Sequence, residues 1–488
     1  MADELLELLD SFHAARVLVL GDLMLDRFIY GAVERISPEA PVPVMAIERT
    51  AVMPGGAANV ARNVATLGGQ AWLLGVVGQD EAAEQLRSQL SGLPTVRTEF
   101  IADAARPTTV KTRHIAEQQQ ILRTDAESRA PLPPATAEAV LARFHAALAD
   151  SDIVVLSDYA KGVLSDAVTA AAIAAARAAG RPVLVDPKSR SFEKYRGATV
   201  LTPNRHELQT ACGRDCSDDA SVLAGARAIL AQGICQTLVV TRGRDGMSIV
   251  GAAQVQHLRT AAREVFDVSG AGDTAVAAMA LGLAHGAPLE QAARLANLAA
   301  GIVVGKQGTA TVTTGEILAQ LEGGSADPVG AKHFTLQGVE QRVARWRAHG
   351  LRIAFTNGCF DLLHPGHISL LNQARATADR LVVGLNSDLS VSRLKGPGRP
   401  VQSETARALV LASLKAVDAV VIFADDTPLA LIDALRPDVL LKGADYTVDT
   451  VVGAELVQRR GGQVILVDLL PSHSTTNTIA RIAAVSGN

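Results

Sequence analysis

Asp267-Val-Ser-Gly-Ala-Gly-Asp-Thr274 leads straight into a helical run, Ala275–Ala284, and its reading decides the fold of the first part of the chain. Two glycines let the backbone turn sharply and approach a ligand closely. The N–H groups of Gly270, Ala271 and Gly272 then stand at a helix start, where the first N–H groups have no intrahelical partner. Such a start binds anions, and the helix dipole adds about 0.3–1 kcal/mol of attraction. Asp273 sits in the same turn. A carboxylate beside a bound phosphate takes the proton of an attacking hydroxyl as a phosphoryl group transfers. Two rivals compete. Acids favour helix starts in general, so Asp273 is also readable as an ordinary N-terminal residue. The glycine fingerprint of dinucleotide folds needs a buried strand directly before it, whereas Arg263-Glu-Val-Phe-Asp267 is mixed and polar. No GxxxxGK(S/T) string occurs, which disfavours a P-loop kinase.

Outward from this string, short β-branched runs alternate with Ala-rich helical patterns. Arg16–Leu20, Ile153–Leu156, Pro182–Val185, Thr199–Leu201 and Leu238–Val240 read as buried strands. Pro133–Asp150, Leu164–Gly180 and Ala220–Gly233 read as helices between them. The pattern predicts parallel sheets covered by helices. Gly31–Glu48 and Arg106–Arg123 alternate without a following helix and predict a small antiparallel flap. Leu321–His333 (LEGGSADPVGAKH) has the composition of an exposed linker, so the expected divisions are 1–320, a linker 321–333, and 334–488. The second part restarts with a helical pattern Gln337–His349, stopped by Gly350. Strands follow at Arg352–Phe355, Arg380–Leu385, Ala419–Phe423, Val439–Lys442 and Gln463–Leu466, a smaller doubly wound α/β unit.

Composition removes several classes. The 488 residues are 48% apolar and 20% charged, which is globular. A net charge of −4 gives no general footprint for nucleic acid or an acidic membrane. The four cysteines, Cys212, Cys216, Cys235 and Cys359, show no CxxC pairing, so neither a disulfide framework nor a zinc site is expected. The N-terminal stretch is acidic and amphipathic, unlike a signal peptide. The expectation is a soluble, cytoplasmic protein.

Further matches accumulate at wide spacing. Gly55-Gly-Ala-Ala-Asn59 opens a helix, and Gly21-Asp-Leu-Met-Leu-Asp26 follows the first strand, where α/β folds bind ligands. Asn204-Arg-His-Glu207 and Thr241-Arg-Gly-Arg-Asp-Gly246 each follow a strand. In this order the motifs resemble the ribokinase-like (PfkB-type) carbohydrate kinases over about Arg16–Ala319. The resemblance implies a three-layer α/β/α domain with a small β flap. It implies Asp273 as catalytic base, with Gly270, Ala271 and Gly272 as its anion hole. Asp22, Gly55, Gly56 and Asn59 would hold sugar hydroxyls. Asn204 and Glu207, with Arg205 and His206 between them, would organise Mg²⁺ and the ATP phosphates through water. Thr241, Gly243 and Gly246 would lie near the nucleotide. Lys111, Arg113, Lys161 and Lys188 are cations near strand ends that a neutral sugar does not need, which points to a substrate already carrying a phosphate. An ordinary solvated cation is the alternative for each.

The second motif is Thr356-Asn-Gly-Cys-Phe-Asp-Leu-Leu-His-Pro-Gly-His367, followed by helical Ile368–Ala376. His364 and His367 are three apart at a helix start, so their rings share a face. Pro365 and Gly366 suit a tight entry into the first turn. Two imidazoles there donate hydrogen bonds to an α-phosphate as charge grows on it. A metal site needs three or four ligands, and only Cys359 stands nearby. The string closely resembles the HxGH signature of nucleotidyltransferases of the glycerol-3-phosphate cytidylyltransferase type, which have a Rossmann-like fold. By that resemblance Lys395 would hold the triphosphate and the acceptor phosphate, and Arg407 would support its loop. Thr356 and Phe360 would lie at the nucleotide. Ser474, Thr475 and Thr476 would cap a helix facing the β- and γ-phosphates. The family carries an Arg shortly after that cluster; here the nearest is Arg481. Base choice, ATP or CTP, stays open at this level.

The order of the two motif sets resembles, over the whole length, the bifunctional heptose 7-phosphate kinases and heptose 1-phosphate adenylyltransferases of lipopolysaccharide biosynthesis. That implies ATP in both sites, Mg²⁺, ADP-heptose as product, and a homodimer formed through the flap.

Overall fold

The computed structural model describes residues 2–116, 119–252, 254–260, 267–306, 308–323, 332–348, 350–443 and 447–467. The chain divides into two compact units, Met1–Gln320 and Leu321–Asn488.

In the first unit the strands are β1 (Arg16–Gly21), β2 (Leu23–Ile36), β3 (Pro43–Gly56), β4 (Gln70–Val77), β5 (Val96–Ala102), β6 (Thr109–Ala116), β7 (Gln119–Ala126), β8 (Ile153–Ser157), β9 (Val183–Asp186), β10 (Ala198–Leu201), β11 (Cys235–Thr241), β12 (Met247–Val250) and β13 (Val255–Leu258). The main sheet has the order β13-β12-β11-β10-β9-β8-β1-β4-β5. It is parallel from β11 to β5, and β12 and β13 extend it as antiparallel edge strands. The five buried strands expected from sequence are β1, β8, β9, β10 and β11. All five residues of β8 are buried, because helices cover both faces of a parallel sheet. Leu18, Leu20, Val154, Leu156 and Val185 pack with Phe144 and Ile173 of the Pro134–Leu148 and Asp166–Ala178 helices. Each such fully buried side chain contributes roughly 1.5–3 kcal/mol.

From β1 the chain proceeds to β4 and β5 on one side, and from β8 to β9, β10 and β11 on the other. The crevice beyond the carboxyl ends of β1 and β8 is therefore the switch point where such sheets bind ligands.

The flap is a separate four-stranded sheet, β3-β2-β6-β7. It is mixed, where the sequence predicted it antiparallel: β2 and β6 pair in parallel. The reason is topological. Both strands leave the main sheet past the carboxyl ends of parallel strands, β1 and β5, so both run outward.

The helix Ala271–Ala284 is buried on every side from Asp273 to Gly282. Its small side chains permit this; a Cβ on Gly282 would lie 2.8 Å from that of Ala292. Cys212 and Cys216, unpaired by spacing, come together as free thiols with sulfurs 3.9 Å apart. The helix Thr314–Gly323 runs into the stretch expected as linker, since Gln320, Leu321 and Glu322 carry no helix-breaking signal. Most of the remaining linker lies outside the described residues.

The second unit has β14 (His333–Phe334), β15 (Ile353–Gly358), β16 (Arg380–Asn386), β17 (Ala419–Phe423), β18 (Val439–Gly443) and β19 (Gln463–Val467). Their order is β14-β17-β16-β15-β18-β19, all parallel. All seven residues of β16 are buried. The short β14 has no strand signature in the sequence. β15 sits at the switch point, so the loop after it opens into the ligand crevice.

Candidate functional sites

Gly270 initiates the Ala271–Ala284 helix in the left-handed region, φ 79°. A Cβ there would also meet Asn59 Nδ2 at 2.8 Å, so glycine is required twice over. Of the three N–H groups expected to face an anion, that of Ala271 donates to the Val268 carbonyl at 3.3 Å. That long turn bond is part of how the chain enters the helix. Gly272 is exposed beside the cavity described below.

Asp273 is only 3% exposed. Its Oδ1 accepts from Tyr159 Oη at 2.7 Å and its Oδ2 from Asn59 Nδ2 at 2.8 Å. Burial raises the carboxyl to about 6, against the lowering effect of these two donors. A base with that proton affinity works near neutral pH.

Asn59, expected on a sugar hydroxyl, is fully buried and instead holds Asp273. Asp22 is corrected in the same sense. It is 1% exposed, and its carboxylate accepts from the backbone N–H groups of Tyr159 (2.8 Å), Lys161 (3.0 Å) and Val163 (3.2 Å). Its oxygens are committed to fixing the loop after β8. Asp26, four residues on, faces the site. It pairs with Arg113 at 2.5 Å. Gly55 leaves it room, since a Cβ there would sit 2.4 Å from Asp26 Oδ2. Gly56, φ 56°, turns the chain from β3 into the Asn59 helix.

Lys111 and Arg113 share a face of β6, next to Asp26 of β2 in register. Burial lowers the Lys111 ammonium; Asp26 opposes this, while Lys161, Arg113 and Arg123 add to it. Three expected cations are thus gathered on one side of Asp273. Lys161 forms an ion pair with Glu127 at 2.5 Å. Lys188 is placed elsewhere, bonded to Glu207 at 2.6 Å, because it follows β9 rather than the flap.

A cavity of ≈ 150 Å³ lies beside Gly272, lined among others by Asp158, Asp186, Lys188, Asn204, Glu207 and Thr241. Asn204 and Glu207 form a capping box on the Arg205–Cys212 helix. Asp186 is pushed well above the usual carboxylate range, by burial first and then by Glu207 and Asp273. Glu207 is already paired with Lys188 at 2.6 Å, and no cluster of three metal-ligating side chains is present among the described residues. Arg205 turns away to Asp245 at 2.7 Å, and His206 is exposed. Gly243 and Gly246 shape the β11–β12 connection. At Gly246, φ 86°, a Cβ would lie 1.9 Å from the Leu258 carbonyl oxygen. Of the Thr241–Gly246 string, Thr241 reaches the cavity lining.

The sequence motifs included Asp26 without a role of its own, and Tyr159 and Asp186 had no assigned role. Each lies within three residues of the end of a central strand or in the strand following it, which was the available signal.

In the second unit His364 caps the Pro365–Ala376 helix, extended at φ −141°. The His364 and His367 rings stack, centroids 3.8 Å apart. Burial, then His364, lowers His367 to about 4. Phe360 packs on His367, centroids 5.1 Å apart, and takes φ 43°. Thr356, expected at the nucleotide, is buried and donates to the Leu441 carbonyl at 3.0 Å. It ties β15 to β18. Arg407 is 1% exposed and donates to the carbonyls of Gln402, Cys359 and Asn386 and to Asp388. It clamps the loops around the histidines, as a support. Asp361 fixes the neighbouring loop, accepting from Arg399 at 2.5 Å and Val401 N–H at 2.7 Å. Lys395 is exposed at the end of the Asp388–Lys395 helix. Ser474, Thr475, Thr476 and Arg481 lie outside the described residues.

Residues 14–314 match the family described as pfkB family carbohydrate kinase. Residues 355–477 match the family described as cytidylyltransferase-like. Over its length the chain is 57% identical to the Bifunctional protein HldE of a Caulobacter species, with 99% of each chain covered. It is 53% identical to that of Rhodospirillum rubrum, covering 98% of this chain and 97% of the relative. Among solved structures, Arabidopsis thaliana ribokinase complexed with ribose and ATP covers 63% of this chain and 99% of its own, with TM-score 0.51 and 19% identity. Phosphofructokinase-2 from Escherichia coli in complex with substrates and products gives TM-score 0.54, 23% identity and the same coverage. These two show the fold of the first unit.

Proposed function

The chain belongs to the pfkB family of carbohydrate kinases and to the bifunctional HldE proteins, and on that premise we propose how its two units divide the work. The first unit phosphorylates D-glycero-β-D-manno-heptose 7-phosphate at the C1 hydroxyl, using ATP. After a separate phosphatase removes the 7-phosphate, the second unit transfers AMP from ATP to heptose 1-phosphate. The products are ADP-heptose, for the lipopolysaccharide core, and pyrophosphate.

One observation carries the reading: a single chain holds a buried, doubly bonded Asp273 at one helix start and a stacked His364/His367 pair at another. Asp273 takes the C1 hydroxyl proton as the γ-phosphoryl group transfers. Asp26 accepts from sugar hydroxyls, and Lys111 and Arg113 meet the 7-phosphate. Asn204, Glu207 and Asp186 would hold Mg²⁺ with the ATP phosphates, largely through water, and the ion would neutralise charge growing on the transferred group. Lys188 and Thr241 lie beside the nucleotide. His364 and His367 donate to the α-phosphate, and Lys395 meets the triphosphate and the acceptor phosphate.

The chain works as a homodimer in the cytoplasm. Ile36, Ile47 and Leu122, each more than half exposed on the flap, supply an apolar face for the second copy. No helix among the described residues is long and apolar enough to cross a membrane.

The test is mass spectrometry of products from heptose 7-phosphate and ATP, with and without the phosphatase. Heptose 1,7-bisphosphate is expected without it and ADP-heptose with it. CTP in place of ATP in the second step tests the cytidylyltransferase alternative; a CDP-sugar would overturn the assignment of the base.

A further inference from the structure

We propose that Tyr159 is a positioning residue of the kinase reaction, its phenol holding the Asp273 carboxylate in the orientation from which an oxygen takes the sugar hydroxyl proton. The proposal rests on the reading of Asp273 as the base.

The terminal torsion of an Asp side chain is broad and soft. Here two donors on different elements remove that freedom. Tyr159 Oη bonds Oδ1 at 2.7 Å from the loop after β8. Asn59 Nδ2 bonds Oδ2 at 2.8 Å from the Ala57–Thr66 helix. Each carboxylate oxygen keeps a further lone pair for an incoming hydroxyl. In the transfer step the hydroxyl proton passes to that oxygen. The new O–P bond forms as the bond from the γ-phosphorus to its bridging oxygen breaks and ADP departs.

Tyr159 is itself held. Its N–H, with those of Lys161 and Val163, is bonded to the buried Asp22 carboxylate. The next N–H, of Ala160, donates to Asp158 at 2.8 Å, with Ala160 at φ 57°. A non-glycine residue in that region persists only where its surroundings dictate it. Asp22 thus acts on Asp273 through Tyr159, which explains why an acid beside the sugar crevice is spent on backbone.

The charged groups facing Asp273 come from several elements. Asp26 on β2 raises its proton affinity and Lys111 on β6 lowers it; Asp186 on β9 is a further close acid. Lys111 Nζ also lies 5.3 Å from the centre of the Tyr159 ring. Burial, then Asp273 and Asp186, push the phenol well above its ordinary range. It stays protonated and donates. Its bond stabilises ionised Asp273 against burial and against Asp26.

The decisive variant is Tyr159→Phe, which removes one oxygen. Kinase kcat is expected to fall about tenfold, the loss of a hydrogen bond to a charged group, with KM for ATP unchanged. The acid limb of the kcat–pH profile should move to higher pH. A merely structural residue would leave that limb in place. Adenylyltransferase activity of the same chain reports on its integrity. Asn59→Ala, removing the opposite donor without touching the Tyr159 loop, should move the limb the same way. Asp273→Asn separates the two readings. If it retains kinase turnover, the base reading fails. If it is inactive while Tyr159→Phe keeps the parental limb and kcat, the Tyr159 proposal alone is overturned.

Discussion

The imidazoles of His364 and His367 lie face to face, 3.8 Å between centroids and 21° apart in plane. Burial first, and then the neighbouring His364, lower the His367 imidazole to about 4. At neutral pH the His367 imidazole is neutral and serves as an N–H donor. The kinase base is placed oppositely, its carboxyl raised to about 6. Asp273 works ionised, so kinase turnover should fall as pH drops through about 6. Adenylyl transfer should hold its rate from pH 7 down to about 5, since His367 stays neutral until about 4. Initial rates of the separate reactions check this. A transfer rate that rises on acidification would show that the imidazolium form is the active one.

Asp273→Ala should lower kinase turnover by about 10²–10⁴, the usual worth of a general base, and leave adenylyl transfer intact. His367→Ala should do the reverse, by about 10²–10³, the cost of one transition-state donor. Both rates measured on each folded variant decide it. One change that abolished both would show that the units do not act independently.

Much of this was legible in the sequence, for a physical reason. Anion sites at helix starts are built from consecutive residues, so Gly270–Asp273 and His364–His367 announce themselves. Strands buried on both faces also read directly, as with β8. What failed was the assignment of long-range partners. Asp22 and Asp26 both follow β1, and nothing local says which one the backbone of residues 159–163 will claim. Asn59 was read as a sugar ligand because its bond to Asp273 spans 214 residues. Arg407 was expected to support a loop, but no local pattern names its four acceptors, one of them 48 residues away.

The exchange of roles between the two acids gives a prediction. Asp22→Asn places an amide N–H₂ or a single carbonyl where a carboxylate accepts three N–H groups. It should destabilise the first unit by about 1–3 kcal/mol, the cost of unsatisfied buried donors, seen as a lower unfolding midpoint. Asp26→Asn should weaken the buried pair with Arg113 and lower the midpoint too, but it is set apart by a raised KM for the sugar phosphate. If Asp22→Asn instead raises the sugar KM at unchanged stability, Asp22 is a ligand after all.

Gly270→Ala should damage the kinase alone. The residue sits at φ 79°, where a side chain costs about 1–2 kcal/mol. The added Cβ would press on Asn59 Nδ2 and displace it from Asp273. Kinase kcat is expected to drop, with KM for ATP less affected and adenylyl transfer unaltered. Steady-state kinetics of both reactions would show it; parental kinase kinetics would mean that Asn59 is not needed on the base.

Arg407→Lys tests support against binding in the second unit. The guanidinium bonds three carbonyls and Asp388 from within the fold, a fork that an ammonium cannot reproduce. Two of those carbonyls, of Cys359 and Asn386, belong to the ends of the loops that carry the histidines and follow β16. Breaking a buried charged network of this kind costs about 3–5 kcal/mol. The variant should therefore unfold its second unit at lower temperature and transfer AMP slowly, while the kinase reaction continues. If Arg407 were a phosphate ligand, the midpoint without nucleotide would match the parent and only the ATP-induced rise in stability would shrink. Calorimetry with and without ATP separates the two.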